Sequence, residues 1–426
     1  MSDPTAGSRG AGPTPEATRR TYLFALKDAG GTVPPELGVA RRLARRGHEV
    51  VVLADDSMED QAAAAGASFR SWTDGHTGEV RDWALHGPMA LARDMFENMI
   101  GHRAPQQASD TAEAIDEVRP DLVLTSFFAF GAMVGAEARG VPFDVLMPNT
   151  YPLPAKGMPQ VGTGFTPAKG PLGALRDRVT SFGGTRLADR FALAPLNELR
   201  ADHGLAPVPN TWAQVHRARR QLILTSSAFD FPAELPANAR YVGPILDDPA
   251  WTSNAPWAPP SGEEPLVLVA MSSTFQNHVQ CMQRIVDALG SLPVRGLVTT
   301  GPAVDPGQIH APANVAVVAA APHHQAMARA SLVITHGGHG TVVKALAAGV
   351  PLVILHHGRD QSGNAVRVTS RGAGVEVSRR ASAGTIARAI ATVSGNDDYR
   401  LCARRLGVDI ARDAADESLL LEELEW

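Results

Sequence analysis

The residues best suited to chemistry in this chain stand together near its C-terminal end. They are His336, Gly337, Gly338, His339, Gly340 and Thr341, followed by Asp360 and Gln361. Glycines at this density let the backbone turn sharply and let a ligand approach the main chain closely. Before them, 332–335 is a short apolar run of the kind that makes a strand covered on both faces. After them, 340–348 has helical composition. A helix N-terminus carries N–H groups without internal acceptors and the positive end of the macrodipole, so it binds anions. His336, at the strand end, adds a further donor. The pattern predicts a diphosphate site. Asp360 and Gln361, side by side, offer acceptors plus an amide donor, a set suited to a polyol. Read for structure alone, the same pair is a turn with a helix N-cap.

The elements that must position these residues follow from alternating patterns. Strands are predicted at 21–26, 50–53, 121–124, 141–146 and 222–224, and again at 266–270, 295–299, 315–318, 332–335 and 352–355. Helical segments separate most of them, which implies mainly parallel sheets with helices on both faces. Between the two sets, 247–262 is rich in proline and lacks periodicity, so it reads as a linker. The predicted fold class is α/β, with two Rossmann-like domains facing each other across a cleft and ligands at the carboxyl ends of the strands. The expected division is a flexible tail at 1–19, a first domain at 20–246, a linker at 247–263, a second domain at 264–408 and a final helical segment at 409–426.

With 426 residues the chain can build two cores, and 44% hydrophobic with 19% charged residues is ordinary for a globular protein. A net charge of -5 argues against a nucleic-acid partner. Arg41, Arg42, Arg45 and Arg46 read as a solvated helix face. Cys281 and Cys402, the 2 cysteines, make no disulfide framework, so a reducing cytoplasm is the expected compartment. No apolar stretch suggests stable insertion in a membrane.

The order His-Gly-Gly-x-Gly-Thr at 336–341, Ala-Leu-Ala-Ala-Gly-Val-Pro at 345–351, Asp360-Gln361 and Asn364-Ala365 resembles the nucleotide-sugar signature of family 1 glycosyltransferases, most of all their bacterial natural-product branch. The resemblance implies the GT-B fold. The donor would sit in the C-terminal domain and the acceptor in the N-terminal one, with the last helix, about 409–424, crossing back to the first domain. It assigns His336, Gly338, His339, Gly340 and Thr341 to the diphosphate, with Ser272, Ser273 and Thr274 facing it. It places Pro322 and His323 at the base and Asp360 and Gln361 at the sugar. Plant members have a glutamate for the ribose where this chain has Lys344, which fits a dTDP-sugar donor. Lys344 also reads as a solvated helix residue. No cofactor or metal is implied, and no Asp-x-Asp occurs in the chain.

On the acceptor side the pattern departs from the family. The usual catalytic histidine has become Thr32, in Gly30-Gly31-Thr32-Val33-Pro34-Pro35, and its aspartate partner falls on Ser126. A hydroxyl is no base near neutral pH. Three readings stay open. Another residue takes the proton, Asp28 first and then His86 or His356. Or the acceptor is acidic enough to need little help. Or the chain is a non-catalytic member that supports a partner enzyme. Asp28 also reads as a loop-capping carboxylate. Met95, Phe127 and Phe128 are the expected acceptor-binding residues, within apolar sets formed by Trp83, Met89, Met95, Phe96 and Met99 in one helical region and by Phe127, Phe128 and Phe130 after a strand. The segment 151–165 reads as a mobile loop over the cleft. The expected ligands are a nucleotide sugar and a hydrophobic small molecule, and a homodimer is compatible with the sequence.

Overall fold

The computed structural model describes residues 19–74, 81–252 and 256–425. The expected flexible tail lies outside the described residues except for Arg19, as do 253–255 of the expected linker and Trp426 of the final segment.

Two sheets form, and every strand pair in them is parallel. The first contains β1 (Thr21–Ala25), β2 (Glu49–Ala54), β3 (Ser68–Ser71), β4 (Leu122–Ser126), β5 (Phe143–Met147), β6 (Arg220–Ile223) and β7 (Ala239–Tyr241), in the order β3-β2-β1-β4-β5-β6-β7. The second contains β8 (Leu266–Ala270), β9 (Arg295–Thr299), β10 (Val315–Val318), β11 (Ala330–Thr335), β12 (Leu352–Ile354) and β13 (Gly374–Glu376), in the order β10-β9-β8-β11-β12-β13.

Side chains alternate across a strand, and the cores divide accordingly. Leu23 and Ala25 enter one cluster while Tyr22 and Phe24 enter another. Leu266, Leu268 and Ala270 likewise part from Val267 and Val269. Each sheet is therefore covered on both faces, which explains the uninterrupted apolar runs in its strands.

Both sheets reverse their winding direction at one point, between β1 and β4 and between β8 and β11. Crevices open beyond the strand ends at such points. Register makes those ends level, with Ala25 opposite Thr125 and Ala270 opposite Thr335. The loops carrying Thr32 and Ser126 thus share one crevice. Those carrying Ser272 and His336 share the other.

The C-terminal segment differs from a single helix over 409–424. It is two helices, Asp397–Ala415 and Ser418–Leu424, broken where Asp416 leaves the helical conformation. The second buries Leu420, Leu421 and Leu424 in the first sheet's core. Tyr22 Oη donates to Leu424 O at 2.9 Å. Arg41 and Arg42 are not a solvated face. Their side chains are 22% and 12% exposed and both pair with Asp247, where the chain leaves the first sheet. The helix Val33–Arg45 is amphipathic enough to seat them, but the acid they meet lies far away in sequence.

Candidate functional site

Beyond β11 the chain turns at Gly337, where φ is 91°. A Cβ there would lie 2.9 Å from Ile354 Cγ2. A Cβ on Gly338 would lie 2.5 Å from His336 Nε2, so the ring folds back over that glycine. The helix His339–Ala347 follows. Its first internal bond runs from Val342 N to Gly338 O at 3.1 Å. The N–H groups of His339, Gly340 and Thr341 are left at the helix mouth. A Cβ on Gly340 would meet nothing within 4 Å, so this residue faces open cleft. Burial, then the fields of His357, His278 and Arg359, push His336 down to about 3. The ring is neutral and can donate a single N–H. His339 turns its ring inward against Phe229, with centroids 5.6 Å apart, and offers the cleft its main chain.

The loop after β8 faces this mouth. Ser272 Oγ accepts from Gln276 Nε2 at 2.9 Å and from Thr274 N at 3.2 Å. Gln361 Nε2 donates to Gln276 Oε1 at 2.9 Å, while Gln361 Oε1 accepts from His357 N at 2.7 Å and Gly358 N at 3.2 Å. Gln361 therefore braces two loops and keeps one amide hydrogen for a ligand. Asp360 lines the cleft, with Oδ2 held by Asn364 Nδ2 at 2.8 Å. Burial raises its pKa, against the Asn364 bond and the fields of Arg359 and Arg367.

Further along, Gly301, Pro302, Ala303, Ala321 and His323 line the wall, while Pro322 is buried at the N-cap of the helix His323–Arg329. His323 Nε2 lies 3.2 Å from Thr299 Oγ1. Lys344 is not a solvated helix residue. Its Nζ donates to Asp248 Oδ1 at 2.6 Å and to Asp247 O at 2.8 Å, so it holds the start of the interdomain segment.

On the opposite wall, Thr32 sits at the N-cap of Val33–Arg45, and its Oγ1 has no partner among the described residues. Asp28 closes its own loop, accepting from Gly30 N at 2.9 Å and Ser57 Oγ at 2.6 Å. His356 lines the cleft and meets Glu376 at 2.9 Å, whereas His86 is an exposed surface residue. Met95, Phe127 and Phe128 line the cleft, and Phe127 stacks on Trp212 with centroids 6.3 Å apart. Phe130 instead belongs to the core, fully buried. The apolar set around Met95 is split between a short turn Asp82–Ala84, a helix Pro88–Phe96 and a wider turn Glu97–His102. The segment 151–165 spans the domains: Tyr151 N donates to Asp230 Oδ2 at 2.9 Å, and Gly162 O accepts from Ser362 Oγ at 3.2 Å.

Sequence reasoning missed Lys27, Gln276 and Arg359, all on the cleft wall. Burial, aided by Arg103 and opposed by Asp55, lowers Lys27 to about 8. Its place directly after β1, beside Asp28, was the available signal. Among the described residues no cluster of His, Cys, Asp and Glu is placed to hold a metal, and no helix is long and apolar enough to cross a membrane.

These walls enclose one cleft of about 2740 Å³ between the sheets. Paired Rossmann-like domains, one presenting a helix mouth and the other an apolar wall to a shared cleft, are the architecture of the GT-B fold. Residues 283–419 match the erythromycin biosynthesis protein CIII-like C-terminal domain. The chain is 28% identical over 419 residues to the 4'-demethylrebeccamycin synthase of Lentzea aerocolonigenes, covering 94% of this chain and 98% of that protein. The calicheamicin glycosyltransferase CalG4 has the same fold, with a TM-score of 0.75 at 23% identity over 96% of this chain and 98% of that one. So does VinC, solved with dTDP, with a TM-score of 0.68 at 18% identity over 95% and 98% of the two chains. The oleandomycin glycosyltransferase of Streptomyces antibioticus is also similar, 29% identical over 344 residues that cover 79% of this chain and 74% of that protein.

Proposed function

We propose that the protein is an inverting, metal-independent transferase, working in the cytoplasm, that moves a (deoxy)hexose from a dTDP-sugar to a hydrophobic small-molecule natural product. The observation that carries this reading is the helix mouth at His339, Gly340 and Thr341, open to the cleft beside the neutral His336 ring. Diphosphate oxygens would take those N–H groups and the Thr341 hydroxyl, with Ser273 and Thr274 reaching from the facing loop. Asp360 and the free amide hydrogen of Gln361 would meet sugar hydroxyls. The acceptor would lie on Met95, Phe127 and Phe128, its nucleophile toward Thr32, with Asp28 fixing that loop. Its oxygen bonds to C1 from the side opposite the diphosphate. The charge that grows on the leaving group is stabilised by preorganised N–H dipoles.

Two observations support dTDP. Lys344, bound to Asp248, stands where, by the family resemblance, plant UDP-sugar enzymes carry a ribose-binding glutamate. VinC, which shares the fold, was solved with dTDP. The test is calorimetric titration of dTDP and UDP into the wild type, His336→Ala and Gly340→Ala. Tighter binding of dTDP, weakened in both variants, is the expected result. Failure of either nucleotide to bind the wild type would remove the reading.

A further inference from the structure

Glu36 is fully buried, and neither of its carboxylate oxygens has a hydrogen-bond partner among the described residues. Burying such a group without partners is costly. Its neighbours suggest a task. Thr32 precedes it by one turn, with Glu36 N donating to Thr32 O at 3.3 Å, so their side chains share a helix face. Thr32 lines the cleft and has an unpartnered hydroxyl. Ser126 approaches from the end of β4, fully buried, without a hydrogen bond of regular geometry to the carboxyl. The charged group whose field reaches Glu36 is Asp28, while Arg41 and Arg42 on the same helix are committed to Asp247. A buried carboxyl thus lies one helical turn after Thr32 and near Ser126, with no regular hydrogen bond to either hydroxyl as the side chains stand, so a small rotamer change must join it to Thr32. By the family resemblance these are the positions where a catalytic histidine and its aspartate are missing.

We propose that Glu36 receives the acceptor's proton through the hydroxyl of Thr32; this rests on the transferase reading above. As the acceptor oxygen bonds to sugar C1, its proton passes to Thr32 Oγ1 and the Thr32 proton passes to a Glu36 oxygen. The C1–O bond to the diphosphate breaks and its electron pair leaves on the diphosphate. Thr32 ends unchanged, and Glu36 ends as the carboxylic acid, to be deprotonated by solvent between turnovers. Thr32 is the catalytic contact and Glu36 a positioning residue behind it. Burial and the Asp28 field, against the nearby Ser126 hydroxyl, push Glu36 up to about 8, which makes it a stronger base than an ordinary carboxylate.

The test uses dTDP-glucose with two acceptor probes, 2-naphthalenemethanol as a weakly acidic alcohol and 4-methylumbelliferone as an acidic phenol. Glu36→Gln and Thr32→Val should each lower kcat for the alcohol by ~10²–10⁴-fold, spare most phenol transfer, and leave dTDP affinity unchanged. Thr32→Ser should restore the alcohol rate. The wild-type alcohol rate should rise with pH toward a plateau above about 8, a limb that Glu36→Gln abolishes. Full alcohol transfer by Glu36→Gln with that limb intact overturns the inference, as does a loss carried by Lys27→Met instead. Where the wild type glycosylates neither probe, the transferase reading is what fails. Glu36 is then judged by carbon NMR of glutamate-labelled protein. A carboxyl absent from Glu36→Gln that titrates near 8 and moves in Thr32→Val supports the relay; titration in the usual glutamate range overturns it.

Discussion

Arg359 reaches across the cleft from the second domain to Asp82 of the first, with Nε to Oδ2 at 2.6 Å and Nη2 to Oδ1 at 3.1 Å, while its Nη1 donates to Thr274 Oγ1 at 3.1 Å. Its backbone is left-handed, with φ at 56°, which turns the side chain out of the loop after β12. The pair is partly exposed, so its loss should cost only about 1 kcal/mol of stability. Arg359 also lines the donor wall and acts on His336. Arg359→Ala is therefore expected to weaken dTDP binding roughly tenfold, about 1.4 kcal/mol, with little change in melting temperature. Titration calorimetry beside a thermal scan separates the two effects.

Gly338 and Gly340 are two positions apart and should respond oppositely to a methyl group. On Gly338 it would strike the His336 ring, and the ring must move. On Gly340 it meets open space, and its backbone is already helical. Gly340→Ala should fold as the wild type does, or slightly better, because alanine favours helix. The new methyl stands where a diphosphate would lie, so dTDP affinity should fall at least tenfold. Gly338→Ala should lose both affinity and melting temperature. Equal melting temperatures for the two variants would contradict this account of the turn.

What could be read from the sequence, and what could not, follows from how local each signal is. The run Leu266–Ala270 is buried on both faces and announces itself. The strands Ser68–Ser71, Ala239–Tyr241 and Gly374–Glu376 were not predicted. All lie at sheet edges, are short and are partly exposed, so their composition carries little apolar signal. The glycine turn at 336–340 was legible because few residue types tolerate that geometry. The second role of Gln361, bracing the loops, was not, since its partner Gln276 lies 85 residues away. Glu36 is the hardest case. An acid in a helix's first turn normally faces solvent, and only packing reveals that this one is sealed behind Thr32.

Asp230 gathers contacts that join the two domains. Its Oδ1 accepts from Arg367 Nη2 at 2.7 Å and Nε at 3.0 Å, and its Oδ2 accepts from Tyr151 N at 2.9 Å and Tyr241 Oη at 3.0 Å. Both members of the ion pair are buried. Removing one partner from such a pair typically costs ~3–5 kcal/mol, because the other charge stays buried and unpaired. Asp230→Ala is expected to lower the unfolding midpoint far more than Arg359→Ala. It should also loosen the segment 151–165, which hydrogen exchange at Tyr151 would report. Unchanged exchange there would mean that Tyr151 is held by its hydroxyl contact with Gln221 alone.

The histidines of the second domain set the sign of the pH dependence of stability. Burial holds His278 at about 4, His336 at about 3 and His339 at about 4. All three are buried in the folded protein, and an unfolded histidine titrates near 6.5. Between those values the unfolded chain binds more protons than the folded one. Stability therefore rises with pH up to about 6.5 and is lost as pH falls below it, by up to about 1.4 kcal/mol per pH unit for each histidine. Glu36 acts in the opposite sense. Its folded value of about 8 lies above that of an exposed glutamate, so it subtracts stability as pH rises through the interval between them. His323 and His357, also held at about 4 by burial, add to the histidine side, while Asp144 and Asp360, raised by burial, add to that of Glu36. With five histidines against three carboxyls, unfolding midpoints in urea should fall between pH 7 and pH 5. His278→Asn, which keeps an acceptor for Gln276 N, should make that fall shallower. Glu36→Gln should leave the acid side unaltered in slope below pH 4 and stabilise the protein most at pH 8. A midpoint that rises from pH 7 to pH 5 would mean that these rings are protonated in the folded state, and that His336 meets its ligand as a cation.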